Sequence, residues 1–135
     1  MCIRDRNIIN KFLPGKLSIL LLPKNENMFY NNFIGLDNKV SCRISSDNFT
    51  KEIYRKIDFP IVSTSANISG EKNLFNISDI INTFEESLDF IVDYGDIGHS
   101  KGSTILNVEK DSVSLIRSGD IQFKTIIKEL NYGKS

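Results

Sequence analysis

The chain has 135 residues, 40% of them apolar and 25% charged, and its 17 Lys and Arg balance 17 Asp and Glu. That length suits one compact domain with a core of its own, and the composition is globular rather than disordered or fibrous. Neutrality excludes the broad basic field that holds nucleic acid by electrostatics alone, so a polyanion must be gripped locally, by a few placed cations and backbone donors.

Leu17–Leu22 is a near-continuous apolar run between Pro14-Gly15 and Pro23-Lys24, which predicts a buried strand. Val40–Ile44 predicts a second strand. Phe49, Ile53, Tyr54 and Ile57 then share one helical face, opened by Ser46 or Asp47 as cap. Ile61–Thr64, after Pro60, reads as a short strand. Ile77, Ile80, Ile81 and Phe84 mark another helix, with Asn76 as its cap and Asp79 favouring the positive end of the helix dipole. Leu88–Val92 is again strand-like. Thr104–Val108 and Val113–Ile116 flank the polar loop Glu109–Ser112 and predict a hairpin. Phe123, Ile126, Ile127 and Leu130 predict a closing helix. No repeat or low-complexity linker divides the chain, so one domain is expected. The interleaving places it in the α/β to α+β class, with a twisted mixed β-sheet flanked by helices.

The longest uninterrupted apolar stretch, Ile19–Pro23, is strand-sized and far short of a membrane span. Cys2 and Cys42 cannot build a disulfide framework, and one histidine, His99, cannot build a His-rich metal site. Arg4, Asp5 and Arg6 are followed only by short apolar pairs, unlike a secretory signal. The glycosylation sequons at Asn48, Asn67 and Asn76 are therefore read as accidents of an Asn-rich composition, and the expected compartment is the cytoplasm.

The segment most suggestive of chemistry is Ile61-Val62-Ser63-Thr64-Ser65-Ala66-Asn67-Ile68-Ser69-Gly70, a strand that runs into small hydroxyl and amide residues and then a glycine. Small side chains let a ligand approach the backbone, and hydroxyls with an Asn amide can meet phosphate oxygens. A polar strand-to-helix turn with Ser/Thr caps would read the same way. A second segment, Gly102-Ser103-Thr104, faces Arg117 across the predicted hairpin. Only five arginines occur, and Arg43 and Arg117 sit at strand ends, where a guanidinium can take a phosphate or carboxylate in bidentate fashion. His99 is read as a loop residue, Glu85-Glu86 as a solvated helix face, and Cys42 as a small buried side chain rather than a nucleophile. Lys72 and Lys101 fit either phosphate neighbours or plain surface charges.

In this order the segments resemble the YrdC-like family, the threonylcarbamoyl-AMP synthases. Leu13-Pro14-Gly15-Lys16-Leu17-Ser18 is similar to the family's Trp-Pro-Gly-Pro-Leu-Thr stretch, and Val40–Ile44 to its Val-x-Val-Arg-x-Pro strand. Ser65–Gly70 matches its Ser-Ala-Asn-x-Ser-Gly signature, the most specific of the pieces. Gly102–Ile105 and Ile116–Ile121 resemble the closing Ser-Thr-Val and Arg-x-Gly-x-Ile pieces. The resemblance implies an enzyme that makes threonylcarbamoyl-AMP and pyrophosphate from L-threonine, bicarbonate and ATP, a nucleotidyltransferase serving tRNA threonylcarbamoyladenosine modification with partner proteins. It implies that Arg43 grips the threonine carboxylate and that Ser63, Ser65 and Asn67 line the ATP and threonine pocket. Ser103 and Arg117 would hold nucleotide or phosphate, with Thr64, Asn73 and Thr104 as neighbours. No catalytic residue and no protein metal site is assigned, and Mg²⁺ is expected to arrive on the ATP phosphates.

Departures accompany the match. The family's tryptophan is Phe12 or Leu13, its second proline is Lys16, and the proline expected after Ile44 is Ser45. The family's N-terminal Pro-Thr-(Asp/Glu)-Thr-x-Tyr-Gly-Leu motif and its Lys/Arg pair have no counterpart before Lys11. Residues 1–10 are accordingly expected to be a non-native head or frayed start, and 11–135 the C-terminal part of a single YrdC-like domain incomplete at its N-terminus. Such a piece is expected to be inactive alone and, with an exposed sheet edge and apolar surface, to self-associate. Two alternatives stand beside this reading. One is a non-catalytic RNA- or nucleotide-binding YrdC-like module whose partner would be tRNA or double-stranded RNA. The other is the carbamoyl-adenylate module of hydrogenase maturation.

Overall fold

A computed structural model describes residues 3–24, 38–96, 98–109 and 112–132. Cys2 and the middle of the predicted 109–112 loop lie outside them. The chain forms two compact units, Met1–Asp58 with Lys101–Ser135 and, separately, Phe59–Ser100.

The first unit is built on a sheet of four strands, β1 (Leu17–Leu21), β2 (Val40–Cys42), β3 (Thr104–Val108) and β4 (Val113–Arg117), in the order β2-β1-β3-β4. β1 pairs antiparallel with β2 and parallel with β3, and β3 pairs antiparallel with β4. The mixed sheet is the one the sequence predicts. Side chains alternate across a strand, so Leu17 and Ile19 of β1 share a face, and so do Thr104 and Leu106 of β3. The parallel register sets Leu17 beside Thr104 and Ile19 beside Leu106. Two helices bring their apolar stripes to the same cluster, α1 (Ile3–Phe12) through Ile8 and α4 (Phe123–Tyr132) through Ile126. Ile8, Leu17, Leu106 and Ile126 are fully buried, and Ile19 nearly so. Each contributes about 2 kcal/mol through area removed from water. Phe12, Leu13, Val108, Ile121 and Phe123 pack around them.

Ile8, Ile9 and Phe12 follow helical spacing, and Ile8 lies at the centre of the core. α2 (Asn48–Tyr54) begins at Asp47, whose carboxylate accepts from Thr50 N at 2.7 Å and Thr50 Oγ1 at 2.8 Å. β2 ends two residues earlier than predicted, at Cys42, and the Ile44 carbonyl beyond it accepts from Gly15 N at 2.9 Å. Cys42 itself is exposed on this edge strand rather than buried.

In the second unit α3 (Ile77–Phe84) runs into a single 3-10 turn, Glu85–Ser87. Asn76 Oδ1 caps α3 by accepting from Ser78 N at 2.9 Å and, at a longer 3.4 Å, from Asp79 N. The stripe Ile77, Ile80, Ile81 and Phe84 is half-buried, and no residue of α3 is fully buried. The strands predicted at Ile61–Thr64 and Leu88–Val92 do not form. Neither segment joins a ladder among the described residues, and a strand without a ladder partner leaves its backbone to water.

Candidate functional site

The sheet order gathers residues far apart in sequence at one rim. β1 and β3 run in parallel, so their first residues, Leu17 and Thr104, are neighbours. β2 and β4 run the opposite way, so their last residues finish at the same rim, Cys42 opposite Ile19 and Arg117 opposite Ile105. Ser103, one residue before β3, is buried at this rim. Two guanidinium groups converge on it. Arg43 donates Nη1 to Ser103 Oγ at 2.8 Å and Nε to the Gly15 carbonyl at 2.9 Å. Arg117 donates Nη2 to the Ser103 carbonyl at 2.8 Å and Nε to the same oxygen at 3.2 Å. Each guanidinium thus spends two of its three nitrogens on the protein. Nη2 of Arg43 and Nη1 of Arg117 have no protein partner among the described residues, and both arginines are exposed.

Three local features place these groups. The β3–β4 register shifts between Ile105 and Leu106, which pair with Arg117 and Leu115, so Ile116 is an extra residue on β4. A bulge of this kind re-aims the strand end, here the one carrying Arg117. Thr104 is fully buried and ties the next turn down, donating Oγ1 to the Ile121 carbonyl at 2.6 Å and accepting from Gly119 N at 3.1 Å. Gly119 must lack a side chain, because a Cβ there would lie 2.4 Å from both Ser103 C and Thr104 N. Asp120 follows, accepting from Lys16 Nζ at 2.6 Å and from Lys101 N at 2.7 Å. With Arg43, Arg117 and Lys16 set against Asp120, the rim holds an excess of positive charge within a neutral chain.

The Ser/Thr/Asn segment belongs to the second unit, and its loop is braced from within. Ser65 Oγ donates to Asn67 Oδ1 at 2.5 Å, and Asn67 Nδ2 donates to the carbonyls of Ile68 at 2.8 Å and Glu71 at 3.3 Å. Leu74 N closes the loop onto the Ala66 carbonyl at 2.8 Å, and Gly70 takes φ +87°, a left-handed conformation that favours glycine. Ser63, Thr64 and Ser65 are exposed, and Asn67 is half-buried. Asn73 lines an open cleft of about 380 Å³ with Leu74, Phe75, Asn76, Asp79, Asp96 and His99. His99 is a loop residue as expected, its ring edge-on to Phe75 at 5.0 Å between centroids. Lys72 is exposed.

Sequence reasoning gave no role to Gly15, Gly119 and Asp120, which it held only as parts of matched stretches, and it missed Asp96. Asp96 supplements the Asn76 cap, accepting from Ile77 N at 3.0 Å and Asn76 Nδ2 at 3.2 Å. Nothing local announces a cap supplied from 19 residues away. The turn Arg117-Ser118-Gly119-Asp120 was legible as a glycine-bearing strand end, but its close approach to Ser103 was not.

The first unit is thus a mixed sheet with an arginine pair at one rim, and the second unit carries a hydroxyl-rich loop. A family model named Sua5/yciO/yrdC, described as telomere recombination, matches residues 4–119, and the chain belongs to that family. It is 30% identical, over 95% of its length, to a putative threonylcarbamoyl-AMP synthase of Methanocaldococcus jannaschii. It is 26% identical, over 97% of its length, to the threonylcarbamoyl-AMP synthase of Bacillus subtilis. The chain spans 65% of the first relative and 38% of the second. Among solved structures it resembles P. abyssi Sua5 complexed with L-threonine, with TM-score 0.84 and 25% identity, covering all of this chain and 42% of that one. It also shares the fold of E. coli YciO, with TM-score 0.76 and 20% identity, covering 90% of this chain and 58% of that one.

Proposed function

We propose that this chain carries substrate-binding parts of an L-threonylcarbamoyl-AMP synthase, a nucleotidyltransferase of tRNA modification acting in the cytoplasm. The observation that carries this reading is the convergence of Arg43 and Arg117 on Ser103, each with one nitrogen left for a ligand oxyanion. The relatives' names and the threonine in the P. abyssi complex supply the substrate class.

In the proposed reaction the threonine amine takes up carbon dioxide from bicarbonate, releasing water and forming N-carboxythreonine. Its new carboxylate oxygen attacks the α-phosphorus of ATP, the bond from that phosphorus to the bridging oxygen breaks, and pyrophosphate leaves. The chemistry calls for orientation and charge neutralisation more than for a strong base. Arg43 suits the threonine carboxylate and Arg117 a phosphate, each as a charge-assisted donor held by the buried Ser103. In the second unit, the family resemblance makes Ser63, Ser65 and Asn67 candidates for ATP and threonine contact, with Thr64 and Asn73 as further candidates. The role of Thr104 is to position Ser103 and the 119–121 turn. Mg²⁺ would be carried by the ATP phosphates, as is usual for a divalent cation in phosphoryl chemistry.

The test is a chimera in which this chain replaces the matching portion of the M. jannaschii relative. It should release pyrophosphate from ATP only when both threonine and bicarbonate are present, and Arg43→Ala should lower that rate by about a hundredfold or more. A folded chimera with no threonine-dependent release would refute the reading.

A further inference from the structure

Asp120 joins three segments of the first unit at the arginine rim. Its backbone N donates to the Gly102 carbonyl at 2.9 Å, and its Oδ1 accepts from Lys101 N at 2.7 Å. Its Oδ2 accepts from Lys16 Nζ at 2.6 Å, and with the Asp120 side chain only 21% exposed the pair is incompletely screened by salt. The two segments it holds are those that hold the arginines. Gly15, next to Lys16, accepts from Arg43 Nε at 2.9 Å, and Ser103, next to Gly102, accepts from Arg117 Nη2 at 2.8 Å. Arg117 also lies against Gly102, where a Cβ would come 3.4 Å from Nη2.

The Gly15 carbonyl is oriented through Lys16, because its peptide plane turns on φ of that residue. The Lys16 carbonyl is fixed by Thr104 N at 3.1 Å, and the Lys16 side chain by Asp120. The similar family stretch has a proline here, whose ring would fix φ. Lysine has no such restraint, and the ion pair supplies one. We propose that Asp120 is a positioning residue for both grips of the proposed function, the reading on which this assignment rests. It sets Arg43 through Oδ2 and Lys16, and Arg117 through Oδ1 and Lys101.

Two substitutions separate positioning from a plain effect of charge. Lys16→Met keeps the apolar stem and removes a positive charge. Asp120→Asn keeps an oxygen for Lys101 N and removes a negative charge. Charge alone would weaken anion binding in the first and strengthen it in the second. Loss of the pair loosens Arg43 in both.

In the chimera, each substitution should therefore raise the KM for threonine by about fivefold and leave that for ATP within about twofold. The double variant should do no more than either single one, and Asp120→Ala, which gives up both oxygens, should raise both KM values. In the full 135-residue chain, proton exchange at Arg43 Nε, followed by NMR, should quicken about fivefold in Lys16→Met and in Asp120→Asn, with Arg117 Nε within about twofold. Opposite shifts of the threonine KM in the two single variants would overturn the proposal, as would equal quickening at both arginines or at neither. Exchange needs no turnover, so a wild-type chimera without threonine-dependent release would refute the catalytic reading while the exchange rates still decide the role of Asp120.

Discussion

Replacing Thr104 with valine removes one oxygen and leaves the shape nearly unchanged, which isolates the hydroxyl's contribution. In the folded chain that oxygen donates to the Ile121 carbonyl at 2.6 Å and accepts from Gly119 N at 3.1 Å, and Thr104 is fully buried. Valine cannot make either bond, so one donor and one acceptor lose their partner. An orphaned buried polar group costs about 1–3 kcal/mol. Gly119 is itself buried and bears most of that penalty, whereas Ile121 is half-buried and can recover part of it from water. The expected loss is about 2–4 kcal/mol, a large share of the roughly 5–15 kcal/mol that stabilises a typical domain. Thr104→Ser keeps both bonds and gives up one methyl, for a loss of about 1 kcal/mol. Urea denaturation of the three proteins measures the difference from their midpoints. Thr104→Val no less stable than Thr104→Ser, with unchanged denaturant slopes, would refute the claim that this hydroxyl fastens the turn beneath Arg117.

Ile8→Ala should cost about 2–5 kcal/mol because Ile8 is fully buried, and a change below about 0.5 kcal/mol would show that α1 lies outside the core. Gly119→Ala should be more disruptive than Gly70→Ala. The first meets backbone at 2.4 Å, which overpacking data place at about 3 kcal/mol or above. The second meets open space and bears only the left-handed strain, about 1–2 kcal/mol. The hydrogen bonds from Thr50 hold the Asp47 carboxyl below its ordinary range. A lowered folded value means stability that is present above the unfolded pKa and lost as pH falls through the folded one. Acid titration of the urea midpoint should show this loss, and Asp47→Asn should flatten that part of the profile.

Where the determinants are local, the sequence was legible. β1, β3 and β4 follow from apolar runs between Pro, Gly and polar turns, α3 begins at the cap the sequence names, Asn76, and α2 at Asp47, one of the two caps it offers. α1 was hidden by Arg4, Asp5 and Arg6, although Ile8, Ile9 and Phe12 already had helical spacing. The segments at 61–64 and 88–92 have the composition of strands, but a strand exists only when another strand supplies its ladder, and that condition is nonlocal. Arg43 and Arg117 stood out as rare arginines at strand ends. That both would close on Ser103 depends on the order β2-β1-β3-β4, which no residue spacing reveals. Gly119 was visible as a turn glycine, while the 2.4 Å approach that forbids any other residue belongs to tertiary structure.

In the proposed function, one rim carries two separate oxyanion grips, Arg43 for threonine and Arg117 for nucleotide. The most direct measurement is the KM for each substrate in the chimera. Arg43→Ala should raise the KM for threonine by about tenfold or more and leave that for ATP within about twofold, and Arg117→Ala should do the reverse. Equal effects of both substitutions on both substrates, or no effect of either, would contradict the assignment of these two arginines.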